Sequence, residues 1–263
     1  MLLAIDVGNS QTHLGVFHGE ELTHEWRMST RPDRTADELA LISGQFLGLA
    51  DLSFSREITG VAICSVVPPL TQEIRQMTER YFGFPAVVVE PGTKTGIAIK
   101  IDNPREVGAD RIANAVAAND MFPGEPSIVV DFGTAITVDA VSAKGEYLGG
   151  AITPGLETAA GALYQATAQI RRVELIAPGH AIGKSTIQAV QSGIVYGSAA
   201  LIDGLIERIS KEIGGNANVI ATGGQAAIVV EHCKLVDRVE PDLTLVGLRL
   251  IFQRNFEIER SWT

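Results

Sequence analysis

Cysteine is nearly missing from this chain. Two in 263 residues are too few to staple a secreted fold. Cys64 falls inside an apolar run at 61–67 and reads as a small buried hydrophobe. Cys233, in His232-Cys233-Lys234, reads as a surface thiol with no second ligand pair spaced for zinc. Runs of Lys or Arg are also missing: Arg31, Arg34, Arg105, Arg111, Arg171 and Arg172 stand apart, and the net charge is −10. Such a chain repels nucleic acid and anionic lipid, so neither is an expected partner. No apolar run approaches the length of a membrane span. Met1 leads directly into a strand rather than into a signal peptide, and the cytoplasm is the expected compartment.

The familiar site motifs are missing as well. The chain has no G-x-G-x-x-G, H-E-x-x-H or G-x-S-x-G. Gly183-Lys184-Ser185 looks like the end of a P-loop, but the required upstream glycine falls at Pro178, and Gly179 is one residue too close.

What is present is a repeat. An apolar strand enters Asp6-Val7-Gly8-Asn9-Ser10-Gln11-Thr12, and another enters Asp131-Phe132-Gly133-Thr134-Ala135-Ile136-Thr137. Asp6 matches Asp131, Gly8 matches Gly133, Asn9 matches Thr134, Thr12 matches Thr137 and Val16 matches Val141, each 125 residues apart. One residue of slippage later, Gly19-Glu20-Glu21-Leu22 matches Gly145-Glu146-Tyr147-Leu148. One such turn is as well explained by hairpin chemistry. Two in register favour a pair of loops whose N–H groups, hydroxyls and carboxylates meet a triphosphate and its magnesium ion.

The patterns around the repeat predict strands at 2–5, 12–17 and 22–28, and a helix opened by the capping box Thr35-x-x-Glu38. A strand at 58–67 follows, then a helix at 71–81, strands at 86–90 and 97–101, and a helix at 109–119. After a Pro/Gly break at 122–126 come strands at 127–131, 137–141 and 147–152, a helix after Thr153-Pro154-Gly155, and a short strand at 173–176. A second capping box, Ser185-x-x-Gln188, opens a long helix to about 213. A strand at 219–222 and a helix at 243–252 close the chain. The halves, 1–118 and 119–263, each read β-β-β-α-β-α. The class is therefore α/β, a duplicated actin-like (ribonuclease H-like) ATPase fold with two domains around a central cleft. The antiparallel start argues against a Rossmann sheet, which needs a helix after its first strand.

Two further stretches carry chemistry. Glycines at 223 and 224, after a strand, let an adenine ring approach the backbone, although a plain strand-to-helix turn explains them too. Gly108-Ala109-Asp110-Arg111 puts an acid and a base where a glycine turn enters a helix. There Asp110 stays ionised and can take a hydroxyl proton, while Arg111 and free N–H groups hold an anion. A simple helix cap with a neighbouring surface arginine explains that stretch equally well. Gly193 and Gly197 on the long helix suit close packing, internal or against a second subunit.

Taken together and in this order, Asp6-Val-Gly-Asn-Ser10, Gly108-Ala-Asp-Arg111, Asp131-Phe-Gly-Thr134, the segment 149–155 and Thr222-Gly-Gly224 resemble type III pantothenate kinases over essentially the whole chain. The resemblance implies ATP-dependent phosphorylation of pantothenate to 4′-phosphopantothenate, the first step of coenzyme A biosynthesis. It implies ATP contacts at Asp6, Val7, Gly8, Asn9, Ser10, Gln11, Thr12, His13 and Thr134. Pantothenate contacts are implied at Gly108, Ala109, Asp110, Arg111 and Thr186, with Asp110 as proton acceptor. Asp131 is implied as ligand of a monovalent cation, K⁺ or NH₄⁺, beside the Mg²⁺ that accompanies ATP, and the protein is implied to be a homodimer. One departure is Ile101, where many members of the family carry a tyrosine near the substrate. The alternatives are a non-catalytic regulator on the same fold and a kinase of another small hydroxy acid.

Overall fold

A computed structural model describes residues 1–167 and 172–260; Arg171 lies outside them. The strands are β1 (Leu2–Val7), β2 (Gln11–His18), β3 (Glu21–Ser29), β4 (Gly60–Ser65), β5 (Val87–Val88), β6 (Ala98–Ile99), β7 (Ser127–Phe132), β8 (Ala135–Val141), β9 (Glu146–Pro154), β10 (Asn218–Thr222) and β11 (Arg238–Val239). The helices are α1 (Ala36–Leu49), α2 (Pro68–Met77), α3 (Ala109–Met121), α4 (Leu156–Ala166), α5 (Thr186–Glu212), α6 (Ala226–Val229) and α7 (Leu243–Arg260). Contacts divide the chain into two compact units. The first holds residues 1–97, 103–117 and 243 onward, and the second holds 98–102 and 118–242.

In the first unit the sheet runs β3-β2-β1-β4-β5, with β3, β2 and β1 antiparallel and β1, β4 and β5 parallel. Alternation sends Leu3, Ile5, Val7, Val61 and Ile63 to one face, where they pack with Leu39, Leu47, Leu70, Ile74 and Met77 of α1 and α2. The capping box at Thr35 forms in full. Pro68 and Pro69 do more than stop β4: they occupy the first turn of α2, where their missing N–H groups cost nothing. α7 covers the other face, over β1, β2 and β4. Gly15 lies against Leu245, Gly60 lies under Phe252, and Gly247 meets the Ala113 carbonyl of α3 so closely that no Cβ would fit. This packing groups the last helix with the first unit, whereas the chain order places it in a second half of 119–263.

The second unit repeats the topology, with its sheet running β11-β10-β7-β8-β9-β6. Each unit carries a strand beyond β-β-β-α-β-α: β5 lies within the strand expected at 86–90, whereas β11 is not among the expected strands. Val190, Ile194, Val195, Ile202 and Ile206 of α5 pack with Ile128, Val130, Phe132 and Val138. α5 is long and apolar enough to cross a membrane by length and composition, contrary to the sequence expectation, and its apolar stripe serves this core. Residues 173–176 form no strand. Ser185 caps α5 by accepting from the Gln188 N–H, but the Gln188 side chain accepts from Lys184 instead of closing the second capping box. Cys233 is half-buried rather than a surface thiol, and burial pushes its pKa up to about 11.

The duplication extends to the strand pairing, and its register differs by one residue. β1 and β7 correspond 125 residues apart, but Asp6 stands opposite His13, whereas Asp131 stands opposite Thr137. The second loop is one residue shorter, so β2 and β8 correspond at an offset of 124. Thr137 therefore takes the place of His13, not of Thr12. Both hairpins carry an irregularity at the matching point, between Val16 and Phe17 and between Ala140 and Val141. A three-residue turn before β9, ending in Gly145 at φ +70°, restores the original offset.

Candidate active site

In the first unit, the strand tip at Asp6 turns back through Gly8, whose N–H donates to the Gln11 carbonyl at 3.0 Å. Thr30, just beyond β3, straps this loop. Its hydroxyl donates to the Gly8 carbonyl at 2.7 Å, and its N–H donates to the Ser10 carbonyl at 3.0 Å. Thr12 is buried, with its hydroxyl 2.9 Å from that of Thr30. Val7 is buried in the core and His13 is buried with its Nε2 2.7 Å from Glu25 Oε2. Asn9, Ser10 and Gln11 are the exposed members of the loop. Of the eight residues of this loop implied for ATP, Val7, Thr12 and His13 thus commit their side chains inward.

His13 titrates below its usual range. Burial disfavours the imidazolium most, and Arg27 repels it, while Glu25 works in the opposite sense.

Gly108 and Asp110 sit at the start of α3, where a Cβ on Gly108 would strike the Asp110 carboxylate. Asp110 Oδ1 accepts from the Arg111 N–H at 2.8 Å, and both side chains are half-buried. An anionic group at a helix N-terminus is favoured by the exposed N–H groups and the dipole. The preceding connector is set by Asn103, whose side chain accepts from the Arg105 N–H and donates to Glu106.

The second unit brings three of the sequence motifs together. Gly133 N–H donates to the Ala135 carbonyl, closing the loop, and Thr134 is exposed. The Thr134 carbonyl accepts from the Gly155 N–H at 3.0 Å and from the Thr158 hydroxyl at 2.7 Å. Gly155 presses on the backbone of 133–134 with no room for a Cβ. From the other side Gly223, at φ +94°, packs on Asp131 and Phe132, and Gln225 links the Phe132 carbonyl to the N–H of Leu156. Gly223 therefore serves the loop, while Gly224 is the glycine with open space around it. Across the β7–β8 pair from Asp131, the Thr137 hydroxyl is buried with no hydrogen-bond partner.

Thr186 is exposed at the first position of α5. Its entry turn needs Gly183, because a Cβ there would strike the backbone of Gln188 and Ala189. That steric need accounts for the incomplete P-loop pattern. Ile101 packs on Gly149. Sequence reasoning missed Thr30 and Gln225, and it named Thr137 and Cys64 without their contacts to the loops. Gln225 carried a visible signal, its place directly after the glycine pair, and Thr137 carried one in the repeat itself.

A family model described as type III pantothenate kinase matches residues 2–208. The chain is 53% identical over 256 residues to the type III pantothenate kinase of Frankia alni, covering 97% of this chain and 100% of the relative. It is 52% identical over 262 residues to that of Streptomyces griseus, covering 97% and 98%. Among solved structures, component A of (R)-2-hydroxyglutaryl-CoA dehydratase from Acidaminococcus fermentans is similar in fold. It has a TM-score of 0.59 at 16% identity, with coverage of 97% and 98%. The duplicated sheets and these likenesses make the fold the actin-like ATPase and sugar-kinase one.

Proposed function

The chain belongs to the type III pantothenate kinase family, and we propose that within it Asp110 takes the proton of the attacking hydroxyl while the two Asp-x-Gly loops serve ATP. The enzyme phosphorylates pantothenate in coenzyme A biosynthesis, using ATP with magnesium. The pantothenate hydroxyl oxygen forms a bond to the γ-phosphorus, the bond from that phosphorus to the β–γ bridging oxygen breaks, and ADP leaves. The hydroxyl proton passes to the Asp110 carboxylate. Such a transfer asks the protein mainly for positioning and charge neutralisation.

In this reading Asp6, Val7, Gly8, Asn9, Ser10, Gln11, Thr12 and His13 form the ATP loop of the first unit, and Thr134 adds a contact from the second. Asn9, Ser10 and Gln11 offer side chains, and the inward-committed members offer backbone and shape. Gly108, Ala109, Arg111 and Thr186 hold pantothenate. The observation that carries the assignment is Asp110 itself, a half-buried carboxylate at the first turn of α3, fixed by the Arg111 N–H. Arg111 beside it suits the substrate carboxylate.

Magnesium prefers hard oxygen ligands, and the Asp6 carboxylate at the loop is one. A monovalent cation, K⁺ or NH₄⁺, fits at Asp131, because the Thr137 hydroxyl opposite it is a buried oxygen without a partner. A cation there would supply positive charge against the triphosphate. A homodimer is supported by α5, where Gly193, Gly197 and Gly204 have open space beside them and Leu201 is exposed. Among the described residues, nothing outside the helix lies within 4 Å of where a Cβ on these glycines would stand. The family's biosynthetic role supports a cytoplasmic location. A coupled ADP-release assay with pantothenate, comparing K⁺ with Na⁺, tests the cation assignment. Equal rates in both salts would remove it.

A further inference from the structure

Cys64 is the one fully buried thiol on the sheet face that carries Asp6. The parallel register sets Cys64 of β4 beside Asp6 of β1. Its S–H donates to Asp6 Oδ1 at 3.1 Å, and the residue has no exposed surface. The opposite face of both strands holds the apolar core with Ile5 and Ile63, so alternation fixes both side chains on the α7-covered face.

We propose that Cys64 is a positioning residue for phosphoryl transfer, its thiol holding the Asp6 carboxylate in the orientation that serves the nucleotide. This rests on the reading of the Asp6 loop as the ATP site. Two features suit a thiol to the task. First, it must donate, and a thiolate there would repel Asp6. Second, the donor must be neutral. A cationic donor at this point would also draw on Asp110, the proposed proton acceptor, and lower its basicity.

The test uses the full chain with Cys64→Ala, Cys64→Ser and Asp6→Asn, measuring steady-state kinetics in both substrates together with melting temperature. Cys64→Ala should raise KM for MgATP by roughly threefold to tenfold, the range for one lost hydrogen bond, and leave KM for pantothenate within about twofold. Cys64→Ser keeps a donor and should restore most of the ATP affinity. In an Asp6→Asn background, Cys64→Ala should add little, as expected of a coupled pair. An unchanged KM for MgATP in Cys64→Ala, with Asp6→Asn clearly impaired, overturns the proposal alone. So does equal loss in both cysteine variants that tracks a lowered melting temperature, because that outcome means packing only. Wild-type kinetics in Asp6→Asn would instead sink the reading of the ATP loop on which the proposal rests.

Discussion

Thr137 stands directly across the β7–β8 pair from Asp131, with its hydroxyl buried and unpartnered. An orphaned buried hydroxyl costs stability unless something binds it. Thr137→Val keeps the shape and removes the oxygen, so the variant should melt at or above the wild-type temperature. With the cation held at Asp131 as proposed, activation by K⁺ should shift to about tenfold higher concentration in this variant, the scale on which supporting ligands tune a metal site. Rate measured against K⁺ at constant ionic strength checks this. An unshifted activation curve would exclude Thr137 from the cation site.

Gly223 holds a left-handed backbone at φ +94° and has no room for a Cβ beside Asp131 and Phe132. Gly223→Ala should destabilise the protein by about 2 kcal/mol, from the backbone strain and the displaced loop. Urea unfolding measures it. A change within error would mean that the Asp131 loop tolerates the push.

His13 gives the loop a pH response. Its folded pKa lies below the ordinary 6.5, so the unfolded chain takes up a proton near 6.5 while the folded protein takes it up only at lower pH. Between those two values the unfolded state binds more protons, and stability falls as pH drops. His13→Gln should flatten the loss of melting temperature between pH about 7.5 and about 5.5. The exposed carboxylates with lowered pKa, Glu38, Glu57 and Glu207, act at lower pH. An equal fall in the variant would refute the assignment.

Much of this site could be read in the sequence because its parts are local. A strand ending in Asp-x-Gly announces a loop whether or not the rest of the fold is known, and its repetition announced the two sheets. Gly108-Ala-Asp-Arg111 marked its own helix start. What could not be read depends on pairing across the sheet. The one-residue shortening of the second loop, which puts Thr137 rather than His13 opposite the carboxylate, leaves the sequence match at 125 intact and changes only the register. The Thr30 strap and the Cys64–Asp6 bond join residues 22 and 58 positions apart, each through a neighbouring strand. The last helix read correctly as a helix, but nothing local in its apolar residues said which sheet they would cover. Gly15, Gly60 and Gly247 acquire meaning only once α7 lies on them.

The central claim is that Asp110 takes the proton. Asp110→Asn keeps the size of the side chain, and its amide oxygen can still accept from the Arg111 N–H, but it cannot act as a base. The direct measurement is ADP release with pantothenate in K⁺, alongside ATP binding to the same variant. The account predicts a rate lower by roughly 10²–10⁴-fold, as on losing a general base, with ATP affinity close to wild type. Turnover at the wild-type rate in Asp110→Asn would contradict it.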